Sequence, residues 1–263
     1  MDALDTPFDK TDRPFFFDKR WPVLYVDNHL LAVYKPSGLL VQGDRTGDVC
    51  LLDLAKRWIK ERYDKPGNVF LAMVHRLDRP VAGVVLFART SKAAGRLARQ
   101  FRERRVDKRY LAVVQGAVAQ ESQRCIDHIE RQGRKSRVVL APTTNSQEAR
   151  LSYTRLDTAD DTSLLEVTLE TGRRHQIRIQ LSRMGHPILG DLRYGAGKPL
   201  PGKQVALLAR SLSVEHPTRK TRLDLVCPIP QKWPWPEADE AQSERPPWYW
   251  QMMDGQAIDP SKP

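Results

Sequence analysis

His75-Arg76-Leu77-Asp78-Arg79-Pro80 is a charged stretch set between two apolar runs, Val69-Phe70-Leu71-Ala72-Met73-Val74 before it and Gly83-Val84-Val85-Leu86-Phe87-Ala88 after it. Runs of this length, rich in Val, Leu and Phe, read as buried strands. A charged cluster where a chain leaves a sheet is where sites are often built. Arg76 and Asp78 stand two apart, so an extended backbone turns both to one side. These residues alone allow two readings: a local ion pair that closes a loop, or a functional carboxylate with its cation.

Working outward, Val23–Val26 and Leu30–Tyr34 are apolar runs joined by Asp27-Asn28, which is turn chemistry, so a hairpin is expected. Lys35-Pro36-Ser37-Gly38 follows as a second turn. Leu51 to Arg62 has helical spacing. Thr90 or Ser91 caps a helix running to about Arg105, with Ala93, Ala94, Leu97, Ala98 and Phe101 on its apolar side. From Tyr110 onward strands dominate, over 108–117, 124–129, 136–141, 148–157, 163–170, 205–214 and 221–226. One short helix interrupts them over 173–184. Strands outnumber helices without alternating with them. The fold class expected is therefore α+β, a mixed and mainly antiparallel sheet with flanking helices.

Charge narrows the function. Lys and Arg number 43 against 32 Asp and Glu, a formal +11, which favours a polyanionic partner. Nine basic and two acidic residues lie between Arg89 and Arg109, and on the helix they oppose the apolar face. Arg96, Arg99, Arg102 and Arg105 form a stripe suited to phosphates, or one that serves solubility. Thr171-Gly172-Arg173-Arg174-His175-Gln176-Ile177-Arg178 is a second basic segment. Read as helical from about Arg174, it sets Arg174 and Arg178 one turn apart near a helix start, where anions are attracted; a solvated basic face is the other reading. Tyr110, next to the stripe, either stacks on a base or joins the core. Cys50, Cys125 and Cys227 are far apart and offer no zinc spacing, which fits reduced thiols in a cytoplasmic protein. No apolar run approaches the ~18–20 residues that span a bilayer, and no signal-like segment opens the chain.

Together these segments resemble the RluA-type RNA pseudouridine synthases. The block around Asp78 is similar to the family's catalytic segment, and Lys108 to Gly116 to its Tyr-bearing strand. Thr171 to Arg178 resembles its Arg segment, Gly185 to Asp191 the turn after it, and Tyr25 to Gly38 the opening hairpin. The resemblance implies that Asp78 is the catalytic Asp, that Tyr110 stacks under the target uracil and that Arg178 pairs with the Asp. It implies that Arg76 and His75 help hold the flipped nucleotide and that Leu207 lies over the base. It also implies no cofactor and no metal. Two departures stand out. Family members usually carry Thr-Ser where this chain has Val81-Ala82, so two hydroxyls that would fix the loop are missing. A His is common where Leu208 stands. The separate N-terminal RNA-binding domain of many members is expected to be absent, leaving RNA contact to the catalytic domain.

The chemistry suits these residues. Uracil leaves its sugar, turns, and rejoins through carbon instead of nitrogen, with no redox change. The base must leave its stack to be reached. A carboxylate must be ionised to act, and an adjacent Arg offsets the burial that would protonate it. The expected organisation is an arm over 1–20, a catalytic domain over 21–228 and a Pro/Trp-rich tail over 229–263. The partner expected is tRNA or rRNA, with a lean toward tRNA, and neither a membrane nor an obligate protein partner. The competing readings are a non-catalytic RNA-binding or ribosome-assembly protein on the same fold, and a metal-dependent nuclease.

Overall fold

The Asp27-Asn28 turn behaves as its chemistry demands: Asp27 Oδ1 accepts from the amides of His29 and Leu30, both at 2.8 Å. It joins β1 (Val23–Val26) to β2 (Leu30–Lys35). A computed structural model describes residues 23–45, 47–133, 135–230 and 233–235. The arm expected over 1–20 and most of the tail lie outside these residues. The other strands are β3 (Ala72–Met73), β4 (Ala82–Ala88), β5 (Asp107–Gln115), β6 (Ser122–Gln132), β7 (Lys135–Val139), β8 (Ser146–Ala159), β9 (Thr162–Leu169), β10 (Leu207–Glu215) and β11 (Arg222–Val226). The helices are α1 (Leu51–Arg62), α2 (Ser91–Arg102) and α3 (Gln176–Arg183).

The described strands form one sheet in the order β1-β2-β4-β10-β5-β9-β8-β6-β7, with β11 beside β10 and β3 beside β4. Its pairings are antiparallel except for β4 with β10. That is the mixed, mainly antiparallel α+β class expected. β2 and β4 are buried along their whole length, so both faces of the sheet are covered there. The long β6–β9 half shows alternating burial, apolar on one face and polar on the other.

Helix α1 buries Leu51, Ala55 and Ile59, a single stripe at four-residue spacing. Helix α2 is capped by Thr90, whose side chain accepts from the Ala93 amide. It ends at Arg102 rather than near Arg105, because Arg104 turns left-handed with φ 58°. The run Val69–Val74 shortens to the two residues of β3. On the edge of β4 away from β2, β3 pairs only with Phe87 and Ala88, and β10 pairs only with Ala82 and Gly83. Between them the amide of Leu86 donates to His75 Nε2 at 2.9 Å, so a side chain does the work of a strand. Trp233 and Trp235 at the start of the tail are buried in the main core.

Candidate active site

The segment carrying Asp78 is an extended strand exit ending in a turn, in which the Val81 amide donates to the Asp78 carbonyl at 3.1 Å. Alternation puts Leu77 inside while Arg76 is exposed and Asp78 half-buried. The loop is anchored from below by the Lys35-Pro36-Ser37-Gly38 turn. Ser37 Oγ donates to the Pro80 carbonyl at 2.8 Å, and the Gly38 amide to the Arg79 carbonyl at 2.8 Å. Lys35 is wholly buried, and its Nζ donates to the carbonyls of Pro36, Leu39 and Arg79 at 2.8, 2.7 and 3.1 Å. Three carbonyls match the three N–H of an ammonium. Burial pushes the lysine down to about 7, against the pull of the Asp78 charge. Gly83, with φ 132°, lets β4 pass close to β10; a Cβ there would lie 2.4 Å from the Ala209 carbonyl oxygen.

The opposing wall is α3 and the turn before it. The expected start near Arg174 is corrected: the helix begins at Gln176, because His175 sits in a left-handed conformation with φ 57°. The preceding turn is fixed by side chains. Thr171 Oγ1 and the Arg173 amide both donate to Gln176 Oε1, at 2.7 and 3.0 Å, while Gln176 Nε2 donates to the Arg150 carbonyl at 3.0 Å. Arg174 therefore lies outside the helix and is exposed, and Arg178 points alone into the protein. Its Nη1 donates to Asp78 Oδ2 at 3.0 Å. Its Nε and Nη2 donate to Asp191 Oδ2 and Oδ1 at 2.6 and 2.8 Å. The Arg178 side chain is 6% exposed, Asp191 1% and Asp78 28%, so the ion pair has one open end, at Asp78. Burial works against the Arg178 charge, but the carboxylates of Asp191 and Asp78 outweigh it and raise the guanidinium above its ordinary value.

The ion pair open between the two readings of the first stretch is thus formed with Arg178, a hundred residues away. Among the described residues Arg76 makes no ion pair with Asp78, and Arg79 pairs with Asp48 at 2.9 Å. His175 brings Nε2 to 3.6 Å from Asp78 Oδ2 and shares a 2.6 Å hydrogen bond between Nδ1 and the Tyr194 hydroxyl. Burial lowers its pKa to about 4, so the ring is neutral at pH 7. Tyr110, on β5, is half-buried. Burial and the Asp78 charge raise its phenol above the ordinary value and keep it protonated.

Among the described residues the remaining candidates make no hydrogen bond or ion pair with this cluster. His75 stacks on Phe101 of α2 at 5.1 Å, with Nε2 occupied by Leu86, and burial lowers it to about 4. Leu207 is buried in the core. On α2 and just past its end, Arg96 donates to the Pro217 carbonyl at 2.6 Å, Arg99 and Arg105 both pair with Glu103 at 2.6 and 2.8 Å, and Arg102 is exposed; Arg105 itself lies beyond the helix. Asp191, Tyr194, Lys35 and Ser37 were not legible as site residues. Each acts through a distant partner, so spacing along the chain gives no sign of it.

Comparison with known proteins identifies the family and the fold. Residues 29–183 match the family model described as RNA pseudouridylate synthase. The ribosomal large subunit pseudouridine synthase D of Nitrosomonas europaea is 33% identical over 79% of this chain and 62% of that protein. The tRNA pseudouridine synthase C of Haemophilus ducreyi is 30% identical over 80% of this chain and 92% of that protein. Among solved structures, human RNA pseudouridylate synthase domain containing 4 superposes with a TM-score of 0.68 at 26% identity, covering 80% of this chain and 89% of that one. The fold is that of the pseudouridine synthases. The chain belongs to the RNA pseudouridylate synthase family, and the resemblance to its RluA-type members read from the motifs is borne out. This chain spans just under two thirds of the Nitrosomonas relative, at 62% of its length.

Proposed function

We propose that this protein is an isomerase that converts uridine to pseudouridine in structured RNA, with Asp78 as its catalytic carboxylate. The observation that carries this is the half-open ion pair: Asp78 Oδ2 is held at 3.0 Å by a buried Arg178 while the carboxylate keeps 28% of its surface exposed. A purely RNA-binding protein gains nothing from a fixed carboxylate facing an anionic ligand. In the proposed reaction the N1 glycosidic bond of uridine breaks, the base turns, C5 bonds to the sugar carbon, the C5 hydrogen leaves as a proton, and N1 takes up a proton. Asp78 acts on the sugar, Arg178 holds it aimed, and the protonated Tyr110 forms the stacking wall for the flipped base.

Arg76, exposed beside Asp78, is proposed to take the space left by the flipped nucleotide, and His75 to hold the segment from beneath. Leu207 is proposed to close the site over the base. Arg96, Arg99, Arg102 and Arg105 are proposed to meet phosphates, and residues 21–228 to form the catalytic domain. The relatives' names cover large-subunit rRNA and tRNA, and either is proposed as substrate, in the cytoplasm where both reside. No helix among the described residues is long and apolar enough to cross a membrane.

The test is to incubate the purified protein with RNA from a strain lacking it, map pseudouridine by chemical labelling, and run Asp78→Asn in parallel. A new site made only by the unmutated protein establishes the activity and names the RNA. Tight binding by both proteins with no new site supports the RNA-binding alternative instead. Asp78→Asn is expected to lower turnover by at least about 10⁴-fold with RNA affinity nearly unchanged.

A further inference from the structure

We infer that the short turn Asp191–Tyr194 is a positioning element for catalysis: Asp191 sets the plane of Arg178 and Tyr194 sets the tautomer of His175, so that both present a donor to the same oxygen of Asp78. The inference rests on the isomerase reading of the same site.

Three observations meet there. First, an arginine fork has five N–H, and Asp191 takes the Nε and Nη2 edge, at 2.6 and 2.8 Å. Only Nη1 remains aimed at Asp78, at 3.0 Å. Among the described residues Oδ1 of Asp78 carries no hydrogen bond, so that oxygen stays open to substrate. Without Asp191 the guanidinium is free to swing into a two-pronged grip on Asp78, which would occupy both oxygens and blunt the carboxylate. Asp191 therefore acts by denying Arg178 its best geometry with Asp78.

Second, the Tyr194 ring lies 5.1 Å from the Arg178 guanidinium carbon, a cation–π contact on the flat face that Asp191 leaves uncovered. Its hydroxyl is 2.6 Å from His175 Nδ1. Burial raises the Tyr194 phenol, so it keeps a proton to donate, and the carboxylate facing Nε2 favours that direction. Nδ1 then accepts, and Nε2 carries the proton toward Asp78 Oδ2 at 3.6 Å. The other tautomer would face a lone pair to a carboxylate oxygen.

Third, the backbone is shaped to deliver this. Gly190 has φ 81°, and a Cβ there would lie 2.5 Å from the Gln204 carbonyl oxygen. The turn then closes on itself, with the amides of Tyr194 and Ala196 both donating to the Asp191 carbonyl, at 3.0 and 3.1 Å.

The experiment uses the full chain with RNA labelled with tritium at uridine C5, since isomerisation releases that hydrogen. Single-turnover release and RNA affinity are measured for Asp191→Asn and Tyr194→Phe. We expect release to fall about 100-fold in Asp191→Asn and about tenfold in Tyr194→Phe, with affinity within about threefold of the unmutated protein. Release within about twofold of the unmutated rate in both variants overturns the inference, as does a loss that appears only as weaker binding. If Asp191→Asn does not fold, Tyr194→Phe decides, because it removes one hydroxyl from a half-exposed ring. Nitrogen NMR of His175 tests the tautomer without any activity. Nε2–H in the unmutated protein and a mixture in Tyr194→Phe are expected, whereas Nδ1–H in the unmutated protein contradicts it. If the unmutated protein releases no tritium, the isomerase reading fails, and the NMR result still decides the tautomer.

Discussion

Two basic regions of this molecule hold arginines in opposite ways. At Arg178 the guanidinium is 6% exposed and shared between Asp78 and Asp191. On α2 and the turn after it, Arg99 and Arg105 share a single exposed Glu103, and Arg96 leans on a backbone carbonyl. In the first region low dielectric and fixed geometry let one charge control another across 100 residues of chain. In the second, water and salt screen each charge, and the side chains keep their freedom. Under the proposed function, the same residue type serves chemistry where it is buried and paired, and long-range attraction where it is exposed.

The largest break of this contrast is Arg178→Ala. It leaves Asp191 buried without a cation, which costs about 3–5 kcal/mol, so melting should drop by about 10 °C. Turnover should fall by at least about 10³-fold, far more than RNA affinity. The reverse pattern, weak binding with near-normal turnover at saturating RNA, would remove Arg178 from the catalytic pair. Lys35→Met tests the floor of the same region. Three carbonyls lose their donor, and calorimetry should record a melting drop of about 5–10 °C with slower turnover. An unchanged melting point would mean that the turn does not hold the loop.

Acid offers a gentler probe. His75 and His175 are held neutral near 4 against an ordinary 6.5. The unfolded chain therefore binds more protons between these values. Their contribution to stability is complete above about pH 6.5 and declines as the pH falls toward 4. Denaturant midpoints at pH 7.5 and 5 should show the decline, and a flat response would argue that neither ring is held neutral by the fold. The smallest effect is expected on the basic stripe of α2 and the turn after it. Replacing Arg96, Arg99, Arg102 and Arg105 with Ala should weaken RNA binding and flatten its salt dependence while sparing turnover at saturation. Because Glu103 already offsets two of these arginines, Glu103→Gln should tighten binding and steepen the salt slope. An unchanged slope in both variants would dismiss the stripe as an RNA contact.

Much of this was legible along the chain. Periodicity located α1 to the residue, because burial at four-residue spacing is a local property of a helix. Turn chemistry placed the Asp27 hairpin, and the cap at Thr90 placed α2. The Asp78–Arg178 pair followed only from family resemblance, since no spacing rule links positions so far apart. The start of α3 was missed because the side chains of Thr171 and Gln176 override helix propensity in the turn before it.

The sequence by itself determined the elements, the fold class and the pairing of a carboxylate segment with an arginine segment. Those follow from local backbone preferences and from motifs that survive as contiguous residues. Only the tertiary structure decided that Lys35 and Ser37 anchor the Asp78 loop, that His75 completes a sheet edge, and that Asp191 and Tyr194 stand behind Arg178. Each of those depends on the direction of a side chain across a packed core. A charged or polar group there must find its partner in space, and its distance along the chain carries no information about where that partner lies.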